Sequence, residues 1–340
     1  MGVNYLALDI GGANIKVADG RSYSAAYPFP IWKEPHGLAQ QIRTAISEAP
    51  PCDHLVVTMT AELADCFATK ADGVKFVLKS VAEGSDNRHT RVYRVDGKLV
   101  SPQVAANAPL LVAAANWHAL ATFAGRFTGG NPALLVDVGS TTCDVIPLIQ
   151  GKPATKGQTD TERLLAGELV YTGIERSPVC AITNAATYRG QVCPLVQEFF
   201  ATMRDVYLIQ EKLAEDPGDN DTADRRPATK ACARARLARM IAADQETFNH
   251  RDAVTLAGDI AQAQADRLRA AIMKVAGQMP EAPAKLILSG HGEFLAMAAL
   301  ENTPFLGLPR VSLTRELGPD HSRCAPAYAL AILAQEAAGL

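Results

Sequence analysis

Twice in this chain of 340 residues a strand ends at an aspartate, passes through a turn of small residues and returns as a second strand. The first copy reads Tyr5 to Ile10, Gly11-Gly12, then Asn14 to Ala18, and the second is Ala133 to Leu148 around Asp137-Val138-Gly139-Ser140-Thr141-Thr142-Cys143-Asp144. Small residues let a backbone turn sharply and approach an anion, so that main-chain N–H groups can cradle phosphate, while an acidic residue at the strand end can hold hydrated Mg²⁺. One Asp-x-Gly turn is a weak signal, because plain hairpins contain it too. Two, one in each half-chain, are what a duplicated fold needs to clamp a polyphosphate from both sides. A third element, Leu286-Ile287-Leu288-Ser289-Gly290-His291-Gly292-Glu293, sets a Gly-rich turn between a buried strand and a helix whose N-terminus can accept an anion or a nucleoside.

The elements between these turns follow from apolar spacing and breakers. The pattern predicts a helix over His36–Ala49, a buried strand over His54–Met59, a helix over Thr69–Val81, a strand pair across Thr90–Val100 and one Ala-rich helix over Pro109–Phe127. Gly129-Gly130-Asn131-Pro132 marks a domain boundary, giving a first phosphate-binding domain over 1–130 and a second over 131–323 with a helical insertion. In that insertion, helical spacing covers Leu195–Leu213, Ala228–Ala243 and Asp252–Gly277. The chain then reads as a strand over Lys285–Leu288, a helix from Glu293, a short strand near Leu306 and a terminal helix within 324–338 that packs back on the first domain.

Charge and cysteine content narrow the ligand. With 33 basic and 36 acidic residues, a net charge of -3 offers no field to draw in nucleic acid, so a small anionic molecule held locally is expected. The seven cysteines are scattered and form no C-x-x-C pair, which argues against disulfides and structural zinc. No apolar run reaches membrane-spanning length and the first residues enter a strand pattern without a signal-peptide signature. The expectation is a cytoplasmic protein without nucleic-acid or membrane partners; the sequence is as compatible with a homo-oligomer as with a monomer.

Together the three Gly-bearing elements resemble the phosphate-1, phosphate-2 and adenosine motifs of the actin/Hsp70/sugar-kinase superfamily. That resemblance implies a duplicated α/β fold of ribonuclease H-like domains with the site in the cleft between them. Three further stretches, Thr58 to Phe67, Gly167 to Ala181 and Asp219 to Lys230, resemble signatures of a narrower family. It is related to hydantoinase/oxoprolinase proteins and associated with tetrahydromethanopterin-linked one-carbon metabolism, and its archaeal members include a methanofuran-biosynthesis synthase. The resemblance implies a Mg²⁺-dependent transferase that joins an aminomethylfuran-methyl diphosphate to the phenol of γ-glutamyltyramine, or a related tyramine or tyrosine compound. Pyrophosphate is released, and ATP, though compatible with the fold, is not consumed. The fold equally admits a small-molecule kinase or hydantoinase-like ATPase, and a nucleotide-binding regulatory protein.

Candidate residues follow from these readings. Asp9 and Asp137 would orient Mg²⁺ or its waters; Gly11, Gly12, Asn14, Gly139, Ser140, Thr141, Thr142, Gly290 and Gly292 would line the phosphate site. Lys16 either reaches a phosphate or sits on the exposed face of its strand. Glu62 either accepts the phenol proton or is a solvated loop carboxylate, the latter being favoured. A solvated loop also explains Asp221, Asp224, Arg225 and Lys230, with binding of a second metal, the furan's ammonium group or the diphosphate as the functional alternative. Arg176 would pair with a substrate carboxylate or belong to an ordinary interdomain turn. His118, His321, Tyr171 and Trp117 read as packing or surface residues, and His291 differs only in lying between two glycines.

Overall fold

The computed structural model describes residues 4–339. Its first sheet contains β1 (Tyr5–Ile10), β2 (Asn14–Ala18), β3 (Ser24–Pro28), β4 (His54–Met59), β5 (His89–Tyr93) and β6 (Leu99–Val100), in the order β3-β2-β1-β4-β5-β6. β1 pairs antiparallel with β2 and parallel with β4, and β4 is parallel to β5. The second sheet contains β7 (Ala133–Val138), β8 (Cys143–Ile149), β9 (Lys152–Pro153) and β10 (Leu169–Val170); further along the chain, β11 (Ala185–Tyr188) and β12 (Gln191–Pro194) form a separate hairpin. β13 (Lys285–Ser289) and β14 (Arg310–Ser312) complete the second sheet in the order β10-β8-β7-β13-β14, with β9 on β8. Here β7 is antiparallel to β8 and parallel to β13, so the arrangement around β1 is repeated around β7.

Alternation along the strands builds three apolar layers. Leu6, Leu8 and Ile10 face outward onto the helices Leu38–Glu48 and Lys70–Gly84, while Leu134, Val136 and Val138 face the long helix His250–Ala276 and its neighbours. Ala7 and Val56 from one sheet and Leu135 and Ile146 from the other share a central layer filled by the helices Asn116–Ala124 and Ala325–Ala337. The terminal helix lies against β1, β2 and β4, and through this shared layer the two turns are held on opposite sides of one cleft.

Three expected elements differ. The Ala-rich stretch is not one helix: Pro109–Leu111 closes as a 3-10 turn, Ala114 takes a φ of 47°, and the α-helix starts only at Asn116. Alanine suits a helix and tolerates either side of a packed layer, so the run hid its own break. Between Leu195 and Leu213 only Met203–Ile209 is helical, started where Asp205 accepts the Thr202 N–H at 3.0 Å. The strand expected near Leu306 forms at Arg310–Ser312, where it can pair with β13. No described helix is long and apolar enough to cross a membrane.

Candidate active site

The two turns are closed by the same bond. Gly11 N–H donates to the Asn14 carbonyl at 2.9 Å, and Gly139 N–H donates to the Thr142 carbonyl at 2.9 Å. Gly11 and Gly139 therefore spend their N–H groups on the turns and cannot cradle an anion with them, contrary to the sequence reading. The turn carbonyls are occupied as well: Gly12 accepts from Ile31 and Ala13 from Phe29, while Gly139 accepts from Ile174 and Ser140 from both Glu175 and Arg176. Among the described residues, the N–H groups of Gly12, Ala13, Ser140 and Thr141 have no such partner. A Cβ on Gly12 would meet nothing within 4 Å, which leaves a backbone surface an anion can approach.

A strap holds the second turn in place. A Cβ on Gly173 would lie 2.4 Å from the Ser140 carbonyl carbon and from the Thr141 nitrogen, so only glycine lets the strap pass. Gly173 N–H donates to Ser177 Oγ at 2.9 Å, and the Gln264 amide donates to Thr172 Oγ1 at 2.7 Å and to the Gly173 carbonyl at 2.9 Å. Tyr207 O–H closes this buried network on Gln264 Oε1 at 2.6 Å. No local pattern points to Gln264 or Tyr207, which lie far from the turn along the chain.

Asp9 and Asp137 end β1 and β7 with matching neighbours. Thr58 is in register with Asp9 on the parallel strand, and Ser289 with Asp137. Burial pushes the Asp9 carboxyl up, against the pull of Lys16 and Asn116. Asp137 is pushed up to about 6, first by burial and then by Asp144, with Ser289 and Lys16 opposing. Asp9 Oδ1 and Thr58 Oγ1 are buried without a hydrogen-bond partner, and the buried Ser289 Oγ has no well-formed bond beyond the approach of Asp137. Orphaned oxygens clustered beside two burdened carboxylates suit a hard cation or its waters. Among the described residues no three metal-ligating side chains converge as a cage. Two carboxylates with hydroxyls beside them fit a hard cation such as Mg²⁺ that takes its remaining ligands from water or a bound anion. Lys16 is half-buried and makes no ion pair within 4.0 Å among the described residues.

A cleft of about 540 Å³ opens beside the turns, with Gly12, Ala13 and Trp32 on one wall and Thr141, Thr142 and Arg176 on the other. Asp65, Asp160, Tyr171, Asn116 and Trp117 also line it. Tyr171 is thus a cleft residue, with 57% of its surface exposed, where packing was expected. Asp144 is tied to the buried Arg163, whose guanidinium stacks 4.1 Å from the Trp117 ring. Arg163 and Asp160 stand on a helix over Asp160–Ala166 opened by a Thr159–Glu162 capping box. That Thr-x-x-Glu spacing is legible in the sequence and would have located both residues.

Several expected site residues lie elsewhere. Glu62 is neither solvated nor on the cleft wall: it is 1% exposed, both carboxylate oxygens lack partners, and burial pushes it up to about 8. The helix Lys70–Gly84 covers it, with Gly73 against its backbone, so that burial follows from tertiary contact the local sequence does not encode. Gly290 and Gly292 are glycines because a Cβ would lie 2.2 Å from the Val138 carbonyl oxygen and 2.3 Å from Val138 Cγ1, respectively. His291 between them pairs with Glu175 at 3.0 Å. Asp224 clasps Arg226, Arg236 and Arg239, and Lys230 pairs with Glu211, which ties the loop to its own helices. Asp221 and Arg225 are exposed beside them, and none of the four lines the cleft. His118 is held by Tyr93 with burial lowering it to about 4, and His321 meets Ser24 at 2.7 Å. Trp32, Asn116 and Arg163 line the cleft, and Thr58 and Ser289 stand in register with the two aspartates; none of the five was a candidate from sequence alone.

Two ribonuclease H-like sheets, each with an antiparallel hairpin feeding parallel strands and an Asp-x-Gly turn on a common cleft, define the actin/Hsp70/sugar-kinase class of fold. Within that class the chain belongs to the hydantoinase/oxoprolinase family, whose profile matches residues 53–337. It is 31% identical over 99% of both chains to the (4-{4-[2-(gamma-L-glutamylamino)ethyl]phenoxymethyl}furan-2-yl)methanamine synthase of Methanocaldococcus jannaschii. It is 29% identical to the protein of the same name from Methanococcus vannielii, over 59% of this chain and 89% of that one. Among solved structures, component A of (R)-2-hydroxyglutaryl-CoA dehydratase from Acidaminococcus fermentans superposes over 100% of both chains at 11% identity and a TM-score of 0.48.

Proposed function

We propose that this chain is a Mg²⁺-dependent transferase that forms a furanylmethyl aryl ether in the biosynthesis of a methanofuran-type cofactor. Its substrates are an aminomethylfuran-methyl diphosphate and the phenol of γ-glutamyltyramine or a close tyramine or tyrosine relative. The observation that carries the reading is the pair of matching turns facing one cleft, with unspent N–H groups on both walls, in a chain homologous end to end with a synthase whose named product is a phenoxymethylfuran.

The turn N–H groups of Gly12, Ala13, Ser140 and Thr141 and the Lys16 ammonium hold the diphosphate. Asp9 and Asp137 would hold Mg²⁺, which when bound neutralises charge on the leaving diphosphate. The bond from the furan's methylene carbon to the diphosphate oxygen breaks and pyrophosphate leaves with the electron pair. The furan ring spreads the positive charge on that carbon, and the phenol oxygen attacks it to form the ether. The phenol proton passes into the open cleft, where Asp65 and Asp160 line the wall. ATP is not consumed in this reading, in which the diphosphate of the furan substrate supplies the leaving group.

The test is mass spectrometry of the purified protein with Mg²⁺, the furan diphosphate and γ-glutamyltyramine, with and without ATP. Ether and pyrophosphate are expected without ATP. Release of ADP with no ether in either reaction would replace this reading with an ATPase or kinase.

A further inference from the structure

Each turn is held through its carbonyls by a strap from its own half of the chain, and each strap delivers one large side chain to the cleft. Ile31 N–H bonds the Gly12 carbonyl and is followed by Trp32; Arg176 N–H itself bonds the Ser140 carbonyl at 3.0 Å. The two side chains meet across the opening, with the Arg176 guanidinium 4.3 Å from the centre of the Trp32 ring. Both are half-buried and both line the cleft.

We infer that Trp32 and Arg176 form a clamp for a carboxylate on the acceptor substrate, with Trp32 as the positioning residue that fixes the guanidinium. This rests on the ether-forming reading and assigns to two residues the choice of a phenol that carries an amino-acid tail over one that does not. Arg176 makes no ion pair and no side-chain hydrogen bond among the described residues, whereas the buried Arg163 and Arg236 and the half-buried Arg239 each hold a carboxylate. An arginine stacked on an indole keeps its edge donors free, and that planar fork matches a carboxylate bidentately. The cation that acts on Asp9 and Asp137 is Lys16, which places the diphosphate end at Lys16 and leaves Arg176 for another anion. Arg176 and Asp160 both act on the exposed Tyr171, and Asp160 is itself paired with Lys70 at 3.5 Å, which leaves Arg176 as the charge beside that ring without a partner among the described residues. The carboxylate of an amino-acid tail is its complement.

The experiment compares γ-glutamyltyramine with tyramine, which lacks the tail, in wild type, Arg176→Gln, Trp32→Leu and Trp32→Phe. Wild type is expected to show a KM for γ-glutamyltyramine about tenfold or more below that for tyramine, because a site built to pair a polar group rejects the analogue without it. Arg176→Gln and Trp32→Leu should collapse that ratio to within about twofold, raising KM for γ-glutamyltyramine far more than they lower kcat. Trp32→Phe, which keeps an aromatic face, should restore most of the ratio, a rescue that a purely structural role for Trp32 would not produce. A wild type that does not discriminate, or variants that raise KM for the furan diphosphate instead, overturns the clamp and moves Arg176 to the leaving group. Calorimetric titration with the same two phenols reads the preference without turnover. If no ether forms with either phenol the ether-forming reading fails, while the titration still decides the clamp: a preference lost in Arg176→Gln supports it, and none in wild type overturns it.

Discussion

Lys16 and Asp144 stand at the same position in the two halves of the molecule, each directly across an antiparallel strand pair from the aspartate of its own turn. One copy of the repeat thus sets a cation opposite Asp9 and the other sets an anion opposite Asp137. Their surroundings differ as much as their charges, since Asp144 is tied to a buried arginine while Lys16 has no ion pair within 4.0 Å among the described residues. The free member is the one available to a ligand. Lys16→Met should lower kcat/KM for the furan diphosphate by about 100-fold or more while moving KM for the phenol little. An equal loss toward both substrates in steady-state kinetics would mean that Lys16 shapes the cleft and does not hold the diphosphate.

Asp144 carries the opposite expectation. Arg163 is 1% exposed, and its guanidinium depends on Asp144, the Glu168 carbonyl and the Trp117 face. Removing one member of a buried pair leaves an uncompensated charge, so Asp144→Asn should cost about 3–5 kcal/mol by denaturant unfolding. A loss under about 1 kcal/mol would show that the carbonyl and the indole suffice.

Much of this was legible in the residues. The two hairpins, their aspartates and the parallel strands after them follow from alternation and turn chemistry that each segment carries locally. What escaped depends on contacts between distant segments. Trp32 reaches the cleft because Ile31 binds a turn carbonyl, and Glu62 is buried because a following helix covers it. The Asp219–Lys230 signature was legible as a motif, but its ionic groups pair with Glu211, Arg236 and Arg239, and none of its candidate residues lines the cleft. Asn116 was hidden in a run of alanines, where the left-handed Ala114 breaks the helix without any breaker residue.

Asp9→Asn and Asp137→Asn should each abolish turnover without unfolding the chain. Both native carboxyls are raised, chiefly by burial, so the neutral amides relieve a cost and Tm should hold or rise. In wild type, kcat/KM for the diphosphate should climb as pH rises through about 6, where Asp137 ionises. Wild-type rates in both variants would remove the two aspartates from the site.

Gly173→Ala tests the strap. The added methyl would meet the Ser140–Thr141 peptide at 2.4 Å, backbone that cannot swing aside as a side chain would. Displacing that peptide moves the N–H groups assigned to the diphosphate, so activity should fall by about 100-fold or more, with about 1–3 kcal/mol lost in stability. A fully active variant with an unchanged melting curve would mean that the strap yields and that the turn does not need it.

Glu62 gives the clearest prediction about pH. Its carboxyl is buried with no well-formed hydrogen bond to either oxygen, and burial raises it from 4.5 to about 8, with Asp160 adding to the rise and the backbone N–H groups of Glu62 and Ala114 and the Lys70 ammonium opposing it. The folded chain keeps this proton between those two values while the unfolded chain has lost it. The stability associated with the neutral acid is therefore complete below 4.5 and is lost as pH rises toward about 8, at roughly 1.4 kcal/mol per pH unit. Other raised carboxyls add slopes of the same sign, and the difference between wild type and Glu62→Gln isolates this one, because glutamine does not titrate. Guanidinium unfolding at pH 5 and pH 8.5 should show Glu62→Gln gaining on wild type by several kcal/mol, on the order of the integrated slope. The sign of that shift matters more than its size. A difference that stays constant between the two pH values would place Glu62 in contact with solvent or a hidden donor, whereas a gain at high pH fixes it as a neutral acid sealed behind the cleft wall.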